Sequence, residues 1–182
     1  MLLITVIATA LGALVARSVY ADQASLPPPA IEPSLSSVPP SEQPGSPEVK
    51  GTADATTHPL YKTLQPLLQN YFNAINAKDY ASWADTVTAE RRNAQPEEKW
   101  KQNYSTTRDG TIVIYRIEVN EDGAARVLMQ FTSIQNVKYA PPEMPEKCIH
   151  WNVVWPFEKE RGEWRLAAGG TSASPPKSKC ES

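Results

Sequence analysis

The longest helix-period apolar pattern of the chain lies in residues 58–87, where Leu60, Leu64, Leu67, Leu68, Tyr71, Phe72 and Ile75 recur at steps of three and four. That spacing puts them on one stripe of an α-helix, with Lys62, Gln65, Gln69 and Asn73 opposite. Pro66 would remove a backbone bond from a helix interior, so the regular helix is expected to start near it, with residues 58–65 as a lead-in turn. The period breaks at Asn76-Ala77-Lys78-Asp79. Asp79 reads as the N-cap of a short helix over 80–86 that buries Tyr80, Trp83 and Val87. Residues 90–104 read as a third, charged helix starting at Pro96 and presenting Trp100 and Tyr104 at i, i+4. Within it, Arg91-Arg92 reads as a solvated surface pair, with an anion site as the alternative.

From Thr111 the period changes to two. Residues 111–119 and 124–137 alternate as two strands about the turn residues Asn120-Glu121-Asp122-Gly123, a β-hairpin. Residues 138–147 form a proline-broken loop. Residues 148–157 make a third strand, with Ile149, Trp151, Val153 and Trp155 on one face against Cys148, His150, Asn152 and Val154. Residues 163–173 return as a fourth after a turn at 159–162, and Gly169-Gly170 is a candidate bulge bending the sheet. Three helices followed by a four-strand antiparallel meander predict an α+β domain.

The segment Asn-Ala-Ile-Asn-Ala-Lys-Asp-Tyr-Ala-Ser-Trp, with Tyr71, Phe72, Ala74, Ile75, Asp79, Tyr80 and Trp83 at the matching positions, resembles the opening of the nuclear transport factor 2-like superfamily, shared with ketosteroid isomerases and polyketide cyclases. The resemblance spans residues 58–173. It implies a cone: N-terminal helices packed on a curved antiparallel four-strand sheet around an apolar cavity. With its leader and spacer, the chain further resembles exported or membrane-anchored actinobacterial envelope proteins that carry such a domain.

Residues 1–21 include an apolar run over 2–16, followed by Val19-Tyr20-Ala21, the small-residue pattern of a signal peptidase site. A cleaved signal peptide and an uncleaved membrane anchor both fit, the latter if Arg17 snorkels. No Lys or Arg precedes the run and Arg17 follows it, against the usual charge rule, which reads as a start codon set too late. Residues 22–57 hold eight of the seventeen prolines and almost no large apolar residue, so a disordered, extended linker is expected there, leaving 58–182 for the domain. A net charge of -2 with no basic stripe argues against nucleic acid. Cys148 and Cys180, in a chain that reads as exported, are expected to form a disulfide.

Candidate pocket residues are Tyr71, Tyr115, Gln130, His150, Trp151 and Asn152. His150 is the weak catalytic candidate, because it titrates near neutrality and sits between apolar strand neighbours; a hydrogen-bonded strand histidine is the plainer reading. No paired acid and base, glycine-rich phosphate loop, metal set or cofactor motif is present in the sequence. The reading that follows is a non-catalytic extracytoplasmic module of the bacterial cell envelope, tethered or secreted. It would bind a partner protein or a small apolar ligand, contact the membrane through its N-terminal segment if uncleaved, and have the option of dimerising through the sheet. The alternative is an isomerase, dehydratase or cyclase acting through a polar group such as His150.

Overall fold

In the computed structural model, which describes residues 38–169 and 176–180, the capped apolar stripes become five α-helices and the alternating stretches a six-stranded sheet, giving an α+β architecture. The expected leader and the first part of the linker lie outside the described residues. In chain order the elements are β1 (Val49–Gly51), α1 (Ala53–Thr57), α2 (Tyr61–Ala77), α3 (Tyr80–Ala84), α4 (Ala89–Ala94), α5 (Glu97–Tyr104), β2 (Arg108–Val119), β3 (Ala125–Ile134), β4 (Cys148–Glu160), β5 (Glu163–Leu166) and β6 (Lys177–Lys179). All belong to the compact unit Val38–Ser182.

The helix stripe is buried as its spacing requires: Leu64, Leu68 and Phe72 are fully buried, with Tyr71 and Ile75 nearly so. They pack with Ile112, Ile114, Val127, Met129, Val153 and Phe157 from one face of the sheet in a single core. The helix begins at Tyr61 and runs through Pro66, against the expected start. The carbonyl that Pro66 leaves unpaired by the helical i−4 rule is that of exposed Lys62, which water can satisfy, while buried Leu64 holds the first turn on the core. α2 ends with Lys78 in the left-handed region (φ 62). Asp79 then caps α3 as expected, accepting the Ser82 N–H at 3.1 Å. The third expected helix is two. Thr88 caps α4, its hydroxyl accepting the Arg91 N–H at 3.4 Å, and Pro96 is the N-cap of α5.

The sheet corrects the four-strand expectation. β2, β3, β4 and β5 form the antiparallel series foreseen, but β1 is added in parallel beside β2 and β6 pairs with β4, so the sheet is mixed. β1 comes from the stretch expected to be spacer. Its proline-rich composition hid one anchor: Val49 is 2% exposed, its N–H donates to Gln69 Oε1 at 2.8 Å, and its carbonyl accepts from Gln65 Nε2 at 3.0 Å. Further upstream, Thr111 donates its hydroxyl to the Pro44 carbonyl at 2.6 Å, and its N–H to the Ser46 carbonyl at 2.8 Å. Gly110 is required at this crossing, since a Cβ there would meet the Gly45 and Pro44 carbonyl oxygens at 2.6 and 2.7 Å. The folded unit therefore starts ahead of His58.

The fourth antiparallel strand stops at Leu166 and does not reach Ala173. Its hairpin turn uses Arg161 and Gly162, both at positive φ, the mirror-image turn that matches strand twist. The bulge expected at Gly169-Gly170 falls partly outside the described residues; the observed irregularities are in β2, between Gly110 and Val113 and between Ile114 and Arg116. The disulfide joins Cys148 and Cys180 at a Cα separation of 5.4 Å, as the sequence reading expected. No helix among the described residues is long and apolar enough to cross a membrane.

Candidate functional site

Because strand side chains alternate, β3 and β4 each send one series toward α2 and the other to the opposite face. On the α2 side, Phe131, Ser133, Trp151, Val153 and Trp155 combine with Tyr71, Phe72 and Ile75 of α2 and Tyr104 of α5 around a cavity of about 510 Å³. Aromatic side chains form a large share of its wall. Phe72 stands edge-on to Phe131 at 5.1 Å and stacks on Trp155 at 5.7 Å, and Phe131 stacks on Trp151 at 6.1 Å.

The expected pocket residues divide between the two faces. Tyr71 and Trp151 line the cavity. Tyr115, Gln130 and Asn152 lie on the other side as a cross-strand ladder: the Tyr115 hydroxyl donates to Gln130 Oε1 at 2.8 Å, and Gln130 Nε2 donates to Asn152 Oδ1. Burial pushes the Tyr115 phenol above its ordinary range. His150 is directly opposite Thr132, whose hydroxyl lies 2.8 Å from His150 Nδ1, and it does not line the cavity. It is a hydrogen-bonded strand histidine.

Three charged residues that the sequence reading did not place in the site line the cavity: exposed Lys138 at its rim, and two that are packed into the wall. Asp109, in β2, is 4% exposed and accepts a hydrogen bond from the Ser133 hydroxyl. It is held from both sides of its backbone by Asn76 at the end of α2: the Asp109 N–H donates to Asn76 Oδ1 at 2.7 Å and its carbonyl accepts from Asn76 Nδ2 at 2.9 Å. Burial raises its pKa from 3.8 to about 6, against the opposing pull of the Ser133 bond and the Lys78 ammonium. The Lys78 pKa is lowered, chiefly by burial, and its ammonium is tied to the Thr107 and Ile75 carbonyls. The second residue is Arg91. Residues 86–88 bridge to β5, with Leu166 N–H donating to Thr86 O at 2.9 Å and Thr88 N–H to Leu166 O at 3.1 Å, which delivers the capped start of α4 to the cavity rim. Arg91 then donates to the Ala167 carbonyl at 2.9 Å and the Tyr71 hydroxyl at 3.2 Å. The expectation of a solvated pair fails for Arg91, which is half-buried. Nearby, burial pushes the Tyr104 phenol well above its ordinary range, helped by Tyr71 and Asp109 and opposed by Arg91.

The Asp109 environment gives a pH-dependent stability. Its carboxyl ionises near 6 when folded and near 3.8 when exposed, so the folded chain holds the extra proton between those values. Stability from this group is therefore present at low pH and falls as pH rises through that window, by about 2 kcal/mol between pH 4.5 and 7. Urea unfolding at the two pH values should show that fall in the wild type and lose it in Asp109→Asn, which keeps the acceptor for Ser133. Equal pH slopes in both proteins would rule out the assignment.

Among the described residues no group of three or more His, Cys, Asp or Glu could hold a metal ion. No family model and no curated protein matches the chain. Among solved structures, a SEC-C motif containing protein from Rhodopseudomonas palustris is similar at a TM-score of 0.47 and 14% identity, over 61% of this chain and 80% of that one. A calcium/calmodulin dependent protein kinase II association domain from Xanthomonas campestris is similar at a TM-score of 0.44 and 13% identity, over 66% and 94%. Neither carries the nuclear transport factor 2-like name and both fall below a TM-score of 0.5, while family models are silent, so the superfamily assignment drawn from the Asp79-Tyr80 segment, and with it the actinobacterial type, is withdrawn.

Proposed function

We propose that the chain is a non-catalytic binding module that works outside the cytoplasm, tethered or secreted in the cell envelope, and takes a small, largely apolar ligand between α2 and the sheet. The observation that carries this reading is the aromatic cavity of about 510 Å³, within the size range of sites that enclose small molecules, with a few polar groups set in an apolar wall. The Cys148–Cys180 disulfide supports the compartment, since such bonds persist in oxidising environments, and the apolar segment over 1–21 supplies a route to it. Trp151 and Trp155 in the wall provide the test. Titrating the protein with a naphthyl-sized apolar compound should change tryptophan fluorescence saturably, and a bulky substitution at the wall, Val153→Trp, should abolish the change. No saturable signal would leave the reading without support. Catalysis through His150 is disfavoured by its position outside the cavity, whereas Asp109 is the carboxylate among the described residues that lines it. Turnover of a ring ketone that is lost in Asp109→Asn would move the reading to an enzyme.

A further inference from the structure

Among the described residues Arg91 forms no ion pair. Its guanidinium lies 5.7 Å from the ring centroids of both Tyr71 and Trp155, and its two hydrogen bonds go to neutral acceptors. Its Nε is buried with no hydrogen-bond partner, and so is Nε1 of Trp151, a second residue of the same wall. A half-buried guanidinium and two orphan donors are costly unless acceptor oxygens reach them. The remaining charges at the cavity select further: Asp109 is buried and disfavours a second anionic group at its end, while exposed Lys138 at the rim adds positive potential.

From this geometry we infer that the ligand is an amphipathic monocarboxylate, its ring-sized apolar body against Phe72, Phe131 and Trp155 and its carboxylate against the Arg91 guanidinium. A planar carboxylate matches the fork of a guanidinium, and the flanking rings keep water from competing for it. The inference rests on the pocket reading proposed above and goes beyond it by naming the charged group.

Calorimetric titration of the full chain with 2-naphthoate and with its neutral isostere 2-naphthamide separates the two. Tighter binding of the acid by about 10- to 100-fold is expected, the size of a hydrogen-bonded charge interaction. In Arg91→Gln that preference should vanish while amide affinity is kept; Arg91→Lys, which retains charge but not the fork, should restore part of it. Because the acid-to-amide ratio is measured in the wild type itself, a variant that fails to fold does not spoil the test. Equal affinity for acid and amide overturns the carboxylate inference and leaves the pocket standing; absence of binding by both overturns the pocket and the inference together. Stronger binding of 2-naphthalenesulfonate than of 2-naphthoate would also overturn the assignment of a carboxylate.

Discussion

Trp83→Ala is expected to destabilise the domain by about 3–5 kcal/mol, the range for deleting a fully buried large aromatic. Trp83 is 0% exposed, does not line the cavity, and sits in an aromatic cluster with Tyr80 and Trp100 both at 5.5 Å between ring centroids. Trp100 in turn meets Tyr104 at 5.2 Å, so the cluster fastens α3 and α5 to each other and to the core. Short helices such as α3 have little stability of their own and depend on this packing. A natural control follows from the indole. Trp83 Nε1 is buried with no partner, so Trp83→Phe removes apolar contact and also an unpaired donor, and should cost much less than the alanine change. Urea unfolding of the three proteins measures both differences. A loss under about 1 kcal/mol for the alanine variant would show that the cluster does not hold the helices.

How far the chain could be read from its residues follows from which signals were local. The α2 stripe, the Asp79 cap, the Pro96 start and the two hairpins are written in spacing and turn chemistry, and all appear in the fold. β1 and β6 are three-residue strands whose formation depends on partners far along the chain, so no periodicity announces them. Composition even argues the other way at Val49, a valine inside a proline-rich stretch whose backbone meets Gln65 and Gln69 of α2.

The site was less legible, for two separate reasons. Counting by twos back from Ile114 and Ile112 puts Asp109 on the far face, and Asp109-Gly110 reads as turn chemistry. The irregularity between Gly110 and Val113 shifts the alternation by one and turns Asp109 inward, beside Ser133. Conversely, the sequence reading groups His150 and Asn152 with Trp151 although adjacent residues of one strand point to opposite faces. Asn152 and His150 could have been separated from Trp151 by that rule alone. Arg91 carried no such signal, because its burial depends on the bridge between residues 86–88 and β5.

Reducing the Cys148–Cys180 bond is expected to lower stability by about 3–4 kcal/mol, taking the loop-closure entropy for a sequence separation of 32. With an m value of about 1–3 kcal/mol/M, the urea midpoint should fall by roughly 1–4 M. The structural consequence is local. β6 is held to β4 by a three-residue ladder, by an Asn152 N–H donated to the Pro176 carbonyl at 2.9 Å and by a Cys180 N–H donated to the Cys148 carbonyl at 3.1 Å, with Lys177 Nζ paired to Glu143 at 2.7 Å, and the disulfide keeps this short set closed against the tail's conformational entropy. Release would also strip the Lys177 ammonium, 5.6 Å from the Trp151 ring centroid, from a side chain that walls the cavity. Reduction should therefore weaken ligand binding while the fold persists, and the Cys148→Ala/Cys180→Ala variant should match the reduced protein in both respects. An unchanged midpoint on reduction, or quantitative labelling of both cysteines in the non-reduced, denatured chain, would remove the disulfide and with it the feature compatible with an oxidising compartment.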